Sequence, residues 1–330
     1  MSASAEFTDL TSPFRGELLA HCYRMLGSAE EAEDLVQETY LRAWRSFEAF
    51  EGRSSLRTWL YRIATNVCLT AIERRRRRPL PSGLGAPSDS ADAPPLVAED
   101  VPWLQPLPDI LLVGQHQDPA AIVASRAGIR LAFVAALQFL TARQRAVLIL
   151  RDVLEWPAVE VADLLGTTTT AVNSGLRRAR AQLAHESPAA DELAEPTEPE
   201  RRMILERFAA SIETADAGAL AALLREDVVL EMPPARTWFR GREVVVRFLR
   251  AQLLTESGRL RLLPVMANGK ASFAVYQRGG DGAHHAHAVL SPTLAPTGIV
   301  RMVAFADPRL LASFRLPAQV GGATSGQARG

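Results

Sequence analysis

Apolar residues recur at helical spacing through the first 78 positions and again from about 119 to 185, and give way to two-residue alternation only after position 228. Phe14, Leu18, Cys22, Met25 and Leu26 mark a first helix from about Pro13 to Leu26, stopped by Gly27. Ser28 with Glu31 three residues on is a capping box; Ala32, Leu35, Val36, Tyr40, Ala43 and Phe47 then trace one face of a second helix. After a polar loop at 48–54, Leu56, Trp59, Leu60, Ile63, Ala64, Val67, Cys68 and Ala71 predict a third helix, with Arg62 and Asn66 turned away from its apolar stripe.

Helices resume at about Pro119. Ile129, Leu131, Phe133, Val134, Leu137 and Leu140 give one, and Thr141 with Gln144 caps another that carries Val147, Leu148, Leu150 and Leu154. The segment PAVEVADLLGTTTTAVNSGLRRARAQL reads as helix, glycine turn, helix, with Val161, Leu164, Val172, Leu176 and Leu183 as a shared core. That is a helix-turn-helix pattern. Its second helix exposes Thr169, Asn173, Ser174, Arg177, Arg178 and Arg180, side chains able to bond phosphates or base edges.

Farther on, helices at about Arg202 to Thr214 and Ala217 to Arg225 lead into a strand at Val228 to Met232 and a helix at Arg242 to Leu254. Alternating runs follow at Leu260 to Met266, Ser272 to Gln277, His285 to Leu290 and Ile299 to Phe305, the first pair joined by the hairpin dipeptide Asn268-Gly269. The expected fold class is therefore multidomain: all-α helical segments, then an α+β domain with a curved antiparallel sheet and helices on one side.

Composition divides the chain further. At 330 residues it is long enough for two or three domains. Residues 79–117 hold eight prolines, three glycines and five acids with no Lys or Arg, and are expected to be a linker. A second acidic, proline-rich linker is expected at 187–199 and a disordered tail at 318–330. No apolar run reaches the roughly 20 residues of a membrane span, and the N-terminus has no basic-then-apolar signal, so a cytoplasmic protein without a membrane partner is expected. Cys22 and Cys68 both fall on apolar helix faces, in no metal-ligand spacing.

The formal net charge of zero is an average over segments of opposite sign. Residues 1–41 carry eight acids against two arginines, whereas 42–78 carry ten arginines against three acids and end in the run Arg74 to Arg78. Two unlike partners are implied.

DLVQETYLRAWRSF, then EGRSSLRTWLYRIATNVCL, and across the linker TARQRAVLILRDVLEWPAVEVADLLGTTTTAVNSGLRRARAQL resemble the two conserved regions of extracytoplasmic-function (ECF) sigma factors. MPPARTWFRGRE and AFADPRLLASFRLP are similar to stretches of SnoaL-like (NTF2-like) domains. The resemblance implies sigma region 2 at 12–78, a sigma region 4 helix-turn-helix at 118–186 and a SnoaL/NTF2-like cone at 200–317. Core RNA polymerase and promoter DNA are the partners it implies, and the activity is promoter recognition, DNA melting and transcription initiation without catalysis.

By that resemblance the face carrying Asp34, Gln37 and Glu38 meets the polymerase. The loop Glu51, Gly52, Arg53, Ser54 and Ser55, with Asn66, captures a flipped base of the minus-ten element, and Arg53, Arg57 and Arg62 are placed to bind phosphates. Trp59 has the spacing of a core residue. In the minus-thirty-five element Asn173 suits adenine and Arg177 or Arg178 suits guanine, with Thr169 and Ser174 alongside. Many family members carry a basic residue in place of Asn173.

Three further expectations concern the remainder. The segment VPWLQPLPD, with Trp103, is expected to dock on the C-terminal domain. Glu231 and the His284, His285, His287 cluster are the only obvious acid/base candidates in the cone, and the histidines fit an exposed hairpin end. The cone is expected to regulate activity, with an unidentified small ligand as a candidate partner and no metal or cofactor. An ordinary helix-turn-helix regulator fused to a ligand-sensing domain is the alternative, and it leaves DLVQET and TWLYRIATN without a role.

Overall fold

A computed structural model describes residues 3–52, 54–73, 77–112, 128–186 and 196–321. Residue 53, residues 74–76 of the arginine run, the expected helix start near Pro119, most of the second expected linker and the tail beyond 321 lie outside these. The chain forms two compact units, each assembled from two segments: 1–79 with 104–191, and 80–103 with 192–330.

The first unit is helical. Helix α1 (Ala3–Thr11) has no counterpart in the elements expected from periodicity; a 3-10 turn at Ser12–Phe14 links it to α2 (Arg15–Leu26). Gly27, at φ 74°, ends α2 in the left-handed conformation that glycine tolerates best, and its N–H reaches the Tyr23 carbonyl. Ser28 caps α3 (Ala29–Ser46) by accepting from the Glu31 N–H, and Ser55 caps α4 (Leu56–Ile72) by accepting from the Thr58 N–H. Leu18, Leu19, Cys22, Met25, Ala32, Val36, Leu60, Ala64 and Cys68 are buried where these helices meet.

In the second half of the unit, α5 (Leu131–Leu137) precedes α6 (Ala142–Leu148), whose start carries the complete capping box of Thr141 and Gln144. A π-helical turn at Ile149–Val153 follows. The helix-turn-helix consists of α7 (Ala158–Leu164) and α8 (Thr169–Glu186), joined through Gly166 at φ 59°. Val161, Leu165, Val172, Leu176 and Ala179 are buried in the pair.

The second unit holds α9 (Glu198–Glu213), α10 (Ala217–Leu223), β1 (Leu224–Glu231), β2 (Trp238–Arg240), α11 (Arg242–Gln252), β3 (Leu260–Ala267), β4 (Lys270–Arg278), β5 (His284–Ala295), β6 (Gly298–Phe305), α12 (Leu310–Ser313) and β7 (Gln319–Val320). The strand order is β2-β1-β6-β5-β4-β3, with β7 added to β5. Asn268 and Gly269, at φ 55° and 73°, form the two-residue turn that pairs Ala267 with Lys270. The sheet is mixed and not purely antiparallel as expected, because β1 runs parallel to β6. Phe208, Leu220, Val228, Phe239, Val245, Phe248, Phe273 and Ile299 fill the core under its helices.

The segment 80–103, expected as a linker, is laid along this second unit. The Ser88 N–H donates to the Trp238 carbonyl, the Arg236 N–H to that of Leu96, the Ala98 N–H to that of Pro234, and Trp238 Nε1 to the Gly85 carbonyl. Arg247 and Gln252 donate to the carbonyls of Asp89 and Asp92. Ala91 is fully buried in the domain core. Its proline and acid content excludes a core of its own; it does not prevent an extended chain from satisfying its backbone on another surface.

Candidate nucleic-acid interface

Three surfaces of the first unit carry the residues singled out from sequence. On α3, Asp34 and Gln37 are exposed and Glu38 is half-exposed, bonded to Arg42 one turn on at 2.7 Å. Leu41 and Trp44 stand exposed farther along the helix.

The second surface is the loop before α4 together with that helix. Glu51 and Gly52 are exposed, Gly52 at φ 68° with open space where a Cβ would be, and Asn66 is exposed on α4. Ser54 is half-buried; Ser55 spends its hydroxyl on the helix cap. Arg53 lies outside the described residues.

Two arginines of α4 are already engaged. Arg57 Nε donates to Glu17 Oε2 at 2.7 Å, and its guanidinium lies 5.1 Å from the centre of the Tyr61 ring. Tyr61 also donates to that carboxylate. Arg57 is thus a strut between α2 and α4. Arg62 donates to Asp163 of the helix-turn-helix. Trp59 packs on Phe50 and Phe47, in keeping with its core spacing.

The third surface is α8, where Thr169, Asn173, Arg177 and Arg178 are exposed and Ser174 is half-buried. Arg180 is tied in a two-pronged bond to Asp152, at 2.8 and 2.7 Å, and so braces α8 on the π-helical turn. Beside Arg178 a cleft of about 320 Å³ opens between α6 and α8, lined by Arg143, Gln144, Thr167 and Gly175 among others.

In the second unit Glu231 is fully buried; its carboxylate accepts from Arg301 at 2.6 Å and from the Ser82 N–H at 2.9 Å. His285 is exposed and bonded to Asp281, whose carboxyl it holds below the usual range; His284 contacts the Gly258 carbonyl. Burial, then nearby Arg259, lowers the pKa of His287, which sits at an irregularity of strand register between β4 and β5. Among the described residues no group of three or more His, Cys, Asp or Glu is placed to hold a metal ion, and no helix is long and apolar enough to cross a membrane.

A helix-turn-helix with a basic exposed face, joined in one unit to a second polar loop-and-helix surface, defines a DNA-binding transcription protein. Comparison with known proteins sharpens this. Family models match at residues 10–78 (Sigma-70 region 2), 130–183 (Sigma-70, region 4) and 205–306 (SnoaL-like domain). The chain is 49% identical over 314 residues to the ECF RNA polymerase sigma factor SigG of Mycobacterium tuberculosis, covering 94% of this chain and 84% of that one. It is 28% identical over 244 residues to SigJ of the same species, covering 71% of this chain and 69% of SigJ. The crystal structure of M. tuberculosis SigJ shares the fold, with a TM-score of 0.59 at 24% identity over 94% of this chain and 98% of that one.

The chain belongs to the ECF RNA polymerase sigma factor family. Its function is to bind core RNA polymerase and direct transcription initiation at promoter DNA.

Proposed function

We propose that the work of initiation is divided among the three surfaces of the first unit. Asp34, Gln37 and Glu38 engage a basic surface of the polymerase. Glu51, Gly52, Arg53, Ser54, Ser55 and Asn66 receive a base extruded from the minus-ten element, and Arg57 and Arg62 lie toward the adjoining phosphates. Thr169, Asn173, Ser174, Arg177 and Arg178 read the minus-thirty-five element. The observation that carries this reading is the exposure of Asn66 and of the α8 face, on elements whose opposite faces are buried. Arg57 acts chiefly as a positioning residue, since Glu17 holds it.

The third domain regulates initiation and performs no covalent chemistry. Among the described residues of this domain Glu231 is the one buried acid; it is neutralised by Arg301 and bonded by the Ser82 N–H, so it is not available as a free acid or base. The bonds from Leu80–Trp103 support the segment between regions 2 and 4, and not a small ligand, as what this domain holds. The protein acts in the cytoplasm, where polymerase and DNA are.

Run-off transcription by the full chain with core polymerase tests the assignment. Asn66→Ala should lower transcription from duplex promoters about tenfold, the effect of losing one good base contact, and should be rescued on a template already melted at the minus-ten element. Equal loss on both templates would remove Asn66 from the melting step.

A further inference from the structure

We propose that α1 belongs to the minus-ten apparatus: Phe7 is a positioning residue that holds the loop 51–55 in shape from behind, through a run of aromatic rings. This rests on the reading of that loop as the receiver of an extruded base.

Helix α1 owes its existence to docking. At nine residues it is shorter than the roughly 12–15 that an isolated helix needs to persist in water, and Glu6, Thr8, Asp9 and Leu10 are exposed. Among its described side chains only Phe7 and Thr11, one turn apart, are buried. The Thr11 hydroxyl donates to the Phe7 carbonyl at 2.8 Å, and Tyr40 of α3 donates its phenol proton to the Thr11 carbonyl at 3.2 Å. What α1 brings to α3 is therefore essentially one ring.

That ring is wedged between two others. Phe7 meets Trp44 and Phe47 edge-on, with centroids 5.3 and 5.1 Å apart and planes at 70° and 79°. Phe47 is the residue at which α3 ends, where an unsupported helix frays. Beyond it the chain makes tight turns in succession: the Phe47 N–H donates to the Trp44 carbonyl at 3.3 Å, that of Ala49 to Ser46 at 3.2 Å and that of Phe50 to Phe47 at 3.0 Å.

Phe50 then lies on Trp59, with centroids 4.8 Å apart, and Phe47 stands 6.5 Å from the same ring. Trp59 closes the first turn of α4, its N–H bonded to the carbonyl of the capping Ser55 at 3.0 Å. The Phe50–Trp59 pair thus joins the two ends of the loop, and everything from Glu51 to Ser55 lies between them. Glu51 and Gly52 are exposed, so the loop has no core of its own and takes its shape from this anchor.

A loop that must accept a base in one orientation loses affinity for every alternative shape it has to give up on binding. Rings packed behind it give up those shapes in advance. Phe7 is the innermost of them, and it touches neither the loop nor the base.

The test is run-off transcription by the full chain with core RNA polymerase, on a duplex promoter and on versions with one minus-ten or minus-thirty-five base pair replaced. The readout is the ratio of initiation from parent and replaced promoters, which does not depend on how much of a preparation is folded. Wild type should prefer one minus-ten base pair strongly. Phe7→Ala should compress that preference about fivefold, the worth of an edge-to-face ring pair, and keep wild-type ratios at minus-thirty-five. Phe7→Leu, which retains apolar bulk without a ring edge, should fall between the two and stands in if the alanine variant does not fold. An uncompressed minus-ten ratio in these variants overturns the proposal, as does equal compression at both elements, the result of a general loosening. Glu51→Ala separates the proposal from its premise. A preference lost in Glu51→Ala and intact in Phe7→Ala sinks the role of α1 and leaves that of the loop, whereas a wild type indifferent to every minus-ten base overturns both.

Discussion

His21 is fully buried between α2 and α4, where its Nε2 lies 3.0 Å from Thr65 Oγ1. The Thr65 hydroxyl proton is directed to the Tyr61 carbonyl, so the histidine must be the donor and its Nδ1 is left as a bare acceptor. Burial, reinforced by Arg24, lowers its pKa to about 3. The unfolded chain takes a proton near pH 6.5 that the folded chain refuses. Stability from this residue is therefore complete above that pH and is lost as pH falls, by up to about 1.4 kcal/mol per pH unit. Urea unfolding at pH 7.5 and pH 5 should show the decline, and His21→Gln should reduce it; equal slopes in the two proteins would contradict the assignment. Nothing in the sequence hints at this, because a histidine at a core position of a helix has the same spacing whether it is charged or neutral. The same limit applies to Arg57 and Arg62: periodicity turns Arg62 outward, but neither Glu17 nor Asp163 is near in sequence.

Among the elements, legibility follows the range of the interaction that makes each one. Capping at Ser28 and Thr141 and the turn at Asn268-Gly269 are set within four residues, and all three are readable. Strand β2 is three residues long, and the parallel pairing of β1 with β6 joins Leu230 to Met302, so neither leaves a local signature. The π-helical turn at Ile149–Val153 is likewise invisible in apolar spacing, though it presents Asp152 to Arg180. Thr141→Ala removes the side-chain half of the capping box from α6, the helix that carries Arg145. It should destabilise the first unit by about 1 kcal/mol in chemical unfolding. No measurable change would mean that tertiary packing alone holds the start of α6.

At the scale of the whole molecule the sequence separates helical regions from the α+β domain, but composition places the segment 79–117 in neither. The two units divide that segment: residues 80–103 go with the second unit, and Pro79 and residues 104–112 with the first. Composition registers what a segment cannot build alone and is silent on what it lies against. Replacing Leu80–Trp103 with a Gly/Ser chain of equal length should lower the second unit's melting temperature by several degrees in calorimetry, through lost backbone bonds worth about 1 kcal/mol each. An unchanged transition would show the segment to be passively attached.

Because the second unit is completed by a segment that lies inside the span of the first, residues 80–103 must wait for sequence made long after them. Residues 80–103 emerge from the ribosome roughly 200 residues ahead of β6, which at about 5–20 residues per second is a delay on the order of ten seconds or more. Throughout it Leu80, Ala91 and Ala98, buried in the finished protein, have no second unit to cover them. A nascent chain of this sigma factor thus passes through a period when region 2 is already made and its tether is still loose, a window in which chaperones or polymerase meet a molecule unlike the mature one.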